Sequence, residues 1–223
     1  MKRPEIILAL DVEGLSQAKY FLNRLYPTIK IFKVGQGLFT ACGAKAVEAI
    51  RSKGAGVFLD LKFFDIPHTV AAAVRQAVRL KVKMLTLHIS GGKEMLQAAV
   101  SSAREESRRL KVSRPLLMGV TVLTSMPASG AEVLRLARLG IENGLDGIVC
   151  SAREAVFLKK KIKKRFLIVT PGIRPAGAAS DDQKRTASVE EAIKAGSSFL
   201  VVGRPILKAR RPLCIAKEML EAL

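Results

Sequence analysis

Short apolar runs alternate with amphipathic stretches from one end of the chain to the other, and this repeat restricts the fold more than any other feature. Ile6–Leu10, Ile29–Val34, Val57–Leu61, Met84–Leu87, Leu116–Val120, Gly147–Val149, Phe166–Val169 and Phe199–Val202 read as buried strands. Between them, stretches such as Ser16–Leu25, Val70–Leu80, Lys93–Leu110, Ala131–Glu142 and Val189–Ala195 carry apolar residues at helical spacing. Strand–helix alternation implies a parallel sheet with right-handed crossovers. About eight such units, without a linker or a break in composition, favour a closed α/β architecture over a doubly wound sheet. The expectation is a (β/α)8 TIM barrel forming a single domain over residues 1–223.

Barrel enzymes build their sites where the strands end. Asp11, Lys33, Asp60 with Lys62, His88, Thr121 to Thr124, Ser151, Arg174 and Arg204 stand at or near those ends. The densest group is in Val57-Phe58-Leu59-Asp60-Leu61-Lys62-Phe63-Phe64-Asp65-Ile66-Pro67-His68-Thr69. Period-two alternation puts Asp60 and Lys62 on one face of an oily strand, with Leu59 and Leu61 on the other. Asp65 follows the strand, and Pro67 opens a helix reaching Leu80. Burying one ion costs several kcal/mol unless a partner offsets it. A buried Asp–Lys pair can also serve only to fix strand register. Charges gathered on one rim, after strands from distant parts of the chain, favour chemistry instead.

A second end of the site is built for an anion. Val201-Val202-Gly203-Arg204-Pro205 closes the last strand and turns into the final helix. There Gly203 lets backbone approach a ligand, and Arg204 can fork onto phosphate oxygens. The preceding loop, from Pro171-Gly172-Ile173-Arg174 through Asp181-Asp182-Gln183-Lys184-Arg185, is long and rich in small residues. Loops of that kind are often lids. Arg174 and Gln183 stand where closure over a phosphate would use them.

The formal net charge of +19 implies attraction to anions: nucleic acid, a membrane surface or a phosphorylated metabolite. The run Lys159-Lys160-Lys161-Ile162-Lys163-Lys164-Arg165 reads as a solvated face. With no Trp, only two Tyr and no recognised binding motif, neither a base-stacking platform nor a nucleic-acid partner is expected. The apolar run before Asp11 is too short for a signal peptide, and no later run could span a bilayer. Cys42, Cys150 and Cys214 form no CxxC pattern, which points to a reducing compartment. A cytoplasmic protein without a membrane partner is the expectation.

In order along the chain, Leu10-Asp11, Lys33-Val34-Gly35, Asp60-Leu61-Lys62-Phe63-Phe64-Asp65-Ile66-Pro67, His88-Ile89-Ser90-Gly91-Gly92, Val122-Leu123-Thr124-Ser125, Pro171-Gly172-Ile173-Arg174 and Val202-Gly203-Arg204-Pro205 form one pattern. By these motifs the chain resembles the orotidine 5′-phosphate decarboxylase family over essentially its whole length. The resemblance implies decarboxylation of orotidine 5′-phosphate to UMP, in pyrimidine biosynthesis, by a homodimer. It implies that Lys62 donates a proton to C6 of the pyrimidine, within a charged network of Lys33, Asp60 and Asp65. Asp65 and Thr69 would be donated across the subunit interface. Asp11 would hold the ribose hydroxyls, Thr124 would meet the base, and Gln183 would bridge base and phosphate. Arg174, Gly203 and Arg204 match the remaining nucleotide-binding positions. Phe64, His68 and Ile89 depart from the residues many relatives carry there. A sister group of sugar-phosphate enzymes, usually magnesium-dependent, shares the Asp-x-Lys-x-x-Asp arrangement. Asp65-Ile66-Pro67 and the Arg174–Gln183 loop argue against it.

The chemistry fits the residue types. Loss of carbon dioxide leaves an electron pair on carbon with no adjacent carbonyl to accept it. Organic cofactors or metals often solve that problem. The sequence offers only two histidines and no ligand cluster, so no cofactor and no metal are expected. A fixed cation placed where negative charge develops is the remaining device.

Overall fold

The computed structural model describes residues 3–123, 126–175 and 186–223. Eight parallel strands close into a barrel: β1 (Glu5–Ala9), β2 (Ile31–Gly35), β3 (Gly56–Phe63), β4 (Met84–His88), β5 (Leu116–Val120), β6 (Gly147–Val149), β7 (Leu167–Thr170) and β10 (Phe199–Val202). The circuit runs in chain order and closes where β1 pairs with β10. Two further strands, β8 (Ile173–Arg174) and β9 (Ala187–Ser188), form a separate parallel ladder. The long loop after β7 is thus anchored at both its described ends rather than structureless there.

Alternation along each strand divides the core in two. Ile7, Ala9, Ile31, Phe58, Met84, Met118, Val169, Phe199 and Val201 point inward and fill the barrel. Their neighbours Ile6, Leu8, Phe32, Val34, Val57, Leu59, Leu85, Leu87, Leu200 and Val202 face the surrounding helices. Both faces of a parallel strand are therefore apolar, which is why the strands read as continuous runs. Above the apolar filling, the next inward positions of β2, β3 and β4 are Lys33, Asp60 and Thr86. One step of two residues up the barrel changes its lining from oil to charge.

Helix starts follow local chemistry. Pro67 opens the helix Pro67–Arg79 at a position where no backbone N–H is needed. Ser151 and Ser188 each close a capping box, with Glu154 and Glu191. Ser151, a strand-end candidate from the sequence, is thereby committed to a helix start. Gly203 leads not into the last helix but into a single short turn, Arg204–Leu207, and the last helix is Pro212–Glu221. Among the described residues no helix is long and apolar enough to cross a membrane.

Candidate active site

A cavity of about 270 Å³ opens at the C-terminal mouth of the barrel. Asp11, Lys33, Asp60, Lys62, Arg174, Gly203 and Arg204 all line it, together with Phe58, Val149, Val169 and Val201. Seven positions singled out from the sequence, spread over nearly the whole chain, thus converge on one space.

Asp60 is the hub of its charged wall. Lys62 Nζ donates to Asp60 Oδ1 at 2.9 Å, and Lys33 Nζ stands 3.6 Å from Asp60 Oδ2. Lys33 also donates to Asp11 Oδ1 at 3.0 Å. The Lys33 and Asp60 side chains are only 12% and 13% exposed, so their charges act through little intervening water. Burial alone would push the Asp60 carboxyl up. The charges of Lys33 and Lys62, with hydrogen bonds from Lys62 and Thr86, overcome it and hold Asp60 below its usual value. Burial and then the Lys62 charge lower His88, against the pull of Asp60, so its imidazole is neutral at physiological pH. His88 lies against Phe64, ring centroids 5.6 Å apart.

The strand carrying this wall is not regular. Lys62 has φ +51°, in the left-handed region, and pairing of β3 with β4 shifts register between Leu59 and Phe63. Simple alternation predicts Asp60 and Lys62 side by side; they do meet, but through a distorted strand end. Thr86, fully buried on β4, was not among the sequence candidates. Its hydroxyl accepts the Lys62 backbone N–H at 2.9 Å and donates to Asp60 Oδ1 at 2.9 Å. The available signal was a lone hydroxyl at an inward position of the apolar strand Met84-Leu85-Thr86-Leu87-His88. Gly35 is a second addition. A Cβ there would stand 3.0 Å from Lys33 Nζ and 3.5 Å from Asp11 Oδ1, crowding the ion pair.

At the other end of the cavity, Arg174 lies on β8 with its Nε buried and without a hydrogen-bond partner among the described residues. Gly203 sits beside Asp11: a Cβ at 203 would lie 3.6 Å from Asp11 Oδ2. Asp65 and Thr69 do not line the cavity. Both are exposed, and Asp65 accepts the N–H of its neighbour Ile66 at 2.6 Å. Phe64 and Ile66 flank Asp65 at 61% and 65% exposure. Thr124 and Gln183 lie outside the described residues, although Val122 and Leu123, just before Thr124, line the cavity.

Chemically, the arrangement offers a cation held by a carboxylate at one wall, guanidinium groups at another, and an apolar floor between.

Comparison with known proteins gives a consistent result. The family described as "Orotidine 5'-phosphate decarboxylase / HUMPS family" matches residues 4–219. Orotidine 5'-phosphate decarboxylase of Moorella thermoacetica is 44% identical over 229 residues, covering 97% of this chain and 91% of the relative. The enzyme of the same name from Vibrio cholerae is 43% identical over 234 residues, covering 100% of both chains. Among solved structures, orotidine 5'-phosphate decarboxylase from Lactobacillus acidophilus superposes with a TM-score of 0.87 at 32% identity, covering 99% of each chain.

Proposed function

The chain belongs to the orotidine 5′-phosphate decarboxylase / HUMPS family, and from that membership we propose that it converts orotidine 5′-phosphate to UMP in the cytoplasm, as a step of pyrimidine biosynthesis and without a cofactor. The single observation that carries this reading is that Lys62 Nζ, paired with Asp60 at 2.9 Å, shares one cavity with Arg204. A reacting carbon placed at the lysine therefore belongs to a ligand whose anionic tail is placed at the arginine.

In the proposed reaction the bond between C6 and the carboxylate breaks, carbon dioxide leaves, and the electron pair stays on C6. The Lys62 ammonium faces that pair, stabilises it, and delivers the proton that completes UMP. The amine recovers its proton from solvent after product leaves. Such preorganised charge acts most strongly where water is excluded. Asp60 orients the ammonium, and Lys33 balances the carboxylate from its other side. A single contact is not enough. Enzymes lower barriers by roughly 8–23 kcal/mol, and chemistry this difficult needs the upper part of that range. Binding of the phosphate by Arg204, and closure over it by Arg174 and Gln183, supplies the positioning. Asp11 takes the ribose hydroxyls, Thr124 the base, and Gly203 leaves room for the ligand beside Asp11.

The active unit is a homodimer in this reading. Asp65 and Thr69 are too exposed to serve their own cavity, and Phe64 and Ile66 present apolar surface beside them. Docking a second copy on this segment would cover the apolar residues and carry Asp65 toward the partner's Lys62, completing the network. The same segment distinguishes this reading from a sugar-phosphate reaction of the wider family.

The test is ultraviolet monitoring of orotidine 5′-phosphate loss with chelator present. Turnover that survives EDTA supports the assignment. A protein inactive on this nucleotide, or dependent on added magnesium, refutes it.

A further inference from the structure

We propose that Thr86 is a positioning residue for the reaction: its hydroxyl closes a hydrogen-bonded ring that fixes both the backbone of Lys62 and the carboxylate of Asp60. The inference rests on the decarboxylase reading for its kinetic consequences, but its geometric content stands apart from it.

The ring joins three residues through three hydrogen bonds, and its polarity is determined. The Lys62 backbone N–H donates to Thr86 Oγ1 at 2.9 Å. An ionised carboxylate can only accept, so the Thr86 proton points to Asp60 Oδ1, also 2.9 Å away. Asp60 Oδ1 in turn receives the Lys62 ammonium at 2.9 Å, and this returns the ring to the residue where it began. Lys62 is held at both ends, by its amide and by its amine, through one threonine and one aspartate. The other carboxylate oxygen remains to face Lys33, at 3.6 Å.

The backbone at Lys62 explains why a side chain is needed there. A lysine at φ +51° is outside ordinary strand geometry, a conformation that persists only where surrounding structure imposes it. Register between β3 and β4 slips in this same segment, between Leu59 and Phe63. The Lys62 N–H is thereby met by a side chain of β4 instead of a carbonyl. A buried N–H without any partner would be destabilising. Thr86 has the reach, the acceptor and the spare proton to satisfy the amide and Asp60 together. Valine keeps its shape and provides neither.

Thr86→Val and Thr86→Ser test the assignment. The valine variant is expected to lose about 10- to 100-fold in kcat, the range for one hydrogen bond to a charged group. KM for orotidine 5′-phosphate should change less than about twofold, because Thr86 does not line the cavity. The acid limb of its kcat–pH profile should move to higher pH, since a bond that favours ionised Asp60 is gone. Thr86→Ser restores the hydroxyl and should recover most of kcat and the original limb. Unchanged kcat in the valine variant, a loss confined to KM, or a serine variant as impaired as valine overturns the proposal. Amide hydrogen exchange on the unaltered protein is a readout independent of any variant's folding. The Lys62 N–H should be protected, and exchange at the rate of an open loop overturns the ring. If the unaltered protein shows no decarboxylation while Lys62 is protected, the functional reading fails and the ring survives.

Discussion

In the proposed mechanism, removing the amine of Lys62 separates binding from chemistry. Lys62→Ala is expected to lower kcat at least about 10⁴-fold, combining loss of a proton donor with loss of a preorganised charge. UMP should still bind, since Arg174 and Arg204 are untouched; isothermal titration alongside steady-state kinetics measures both. Arg204→Ala should do the reverse, raising KM for orotidine 5′-phosphate with a smaller effect on kcat. The charged wall also sets a pH limit. Asp60 is held below its usual value in the folded protein, so its ionised form contributes stability above the carboxylate range. That contribution is lost as pH falls through the folded value, and activity should fall with it. Seven cavity-lining positions were legible in the sequence: Asp11, Lys33, Asp60, Lys62, Arg174 and Arg204 because charges are rare at the ends of apolar strands, and Gly203 through the Arg204 beside it. Thr86 and Gly35 were not. A hydroxyl in a strand and a glycine after one have ordinary structural uses, and only the distances to Lys62 and Lys33 reveal another.

At the scale of elements, the eight barrel strands were legible to within one or two residues, since continuous apolar runs have few alternatives, whereas the short ladder of β8 and β9 was not. The slip at the end of β3 was not: it depends on how β4 sits beside it, and no local pattern records that. Elsewhere, two helices are joined by a charge clamp that the sequence also hid, because Arg79 and Glu106 are far apart in the chain. Glu106 on the helix Gly92–Leu110 accepts from Arg109 at 2.6 and 2.9 Å and from Arg79, on the helix Pro67–Arg79, at 2.7 Å. Hydrogen bonds from Arg109 and then Arg79 bring its carboxyl down to about 2, from an ordinary 4.5. Because the folded value is depressed, the clamp is intact above pH 4.5 and is lost as pH falls toward 2. Glu106→Gln should therefore lower Tm at neutral pH and narrow its gap to the unaltered protein in acid, as measured by thermal melts across that window.

For the molecule as a whole, part of the excess of +19 acquires a structural role. In a barrel the helices run back against the strands, so their C-terminal ends gather on the face away from the site. Those ends expose unpaired carbonyls and partial negative charge. Arg3 donates to Leu220 O at 2.8 Å, Lys164 to Ile141 O at 3.2 Å and Arg138 to Lys161 O at 3.5 Å, each acceptor in the last turn of a helix. Arg24, Arg51, Arg108 and Lys159 to Lys161 occupy last turns of their own helices. Lys164→Gln should lower stability by about 0.5–1 kcal/mol, read from denaturant melts, and leave turnover unchanged.

The cations at the helix ends and the ions in the cavity are therefore separate populations, one on each end of the barrel. Exchanging cations at the helix ends for neutral residues is expected to change solubility and adherence to ion exchangers while leaving the cavity's ion pairs in place. Part of the strongly basic character of this protein thus belongs to its scaffold, where cations meet the ends of helices.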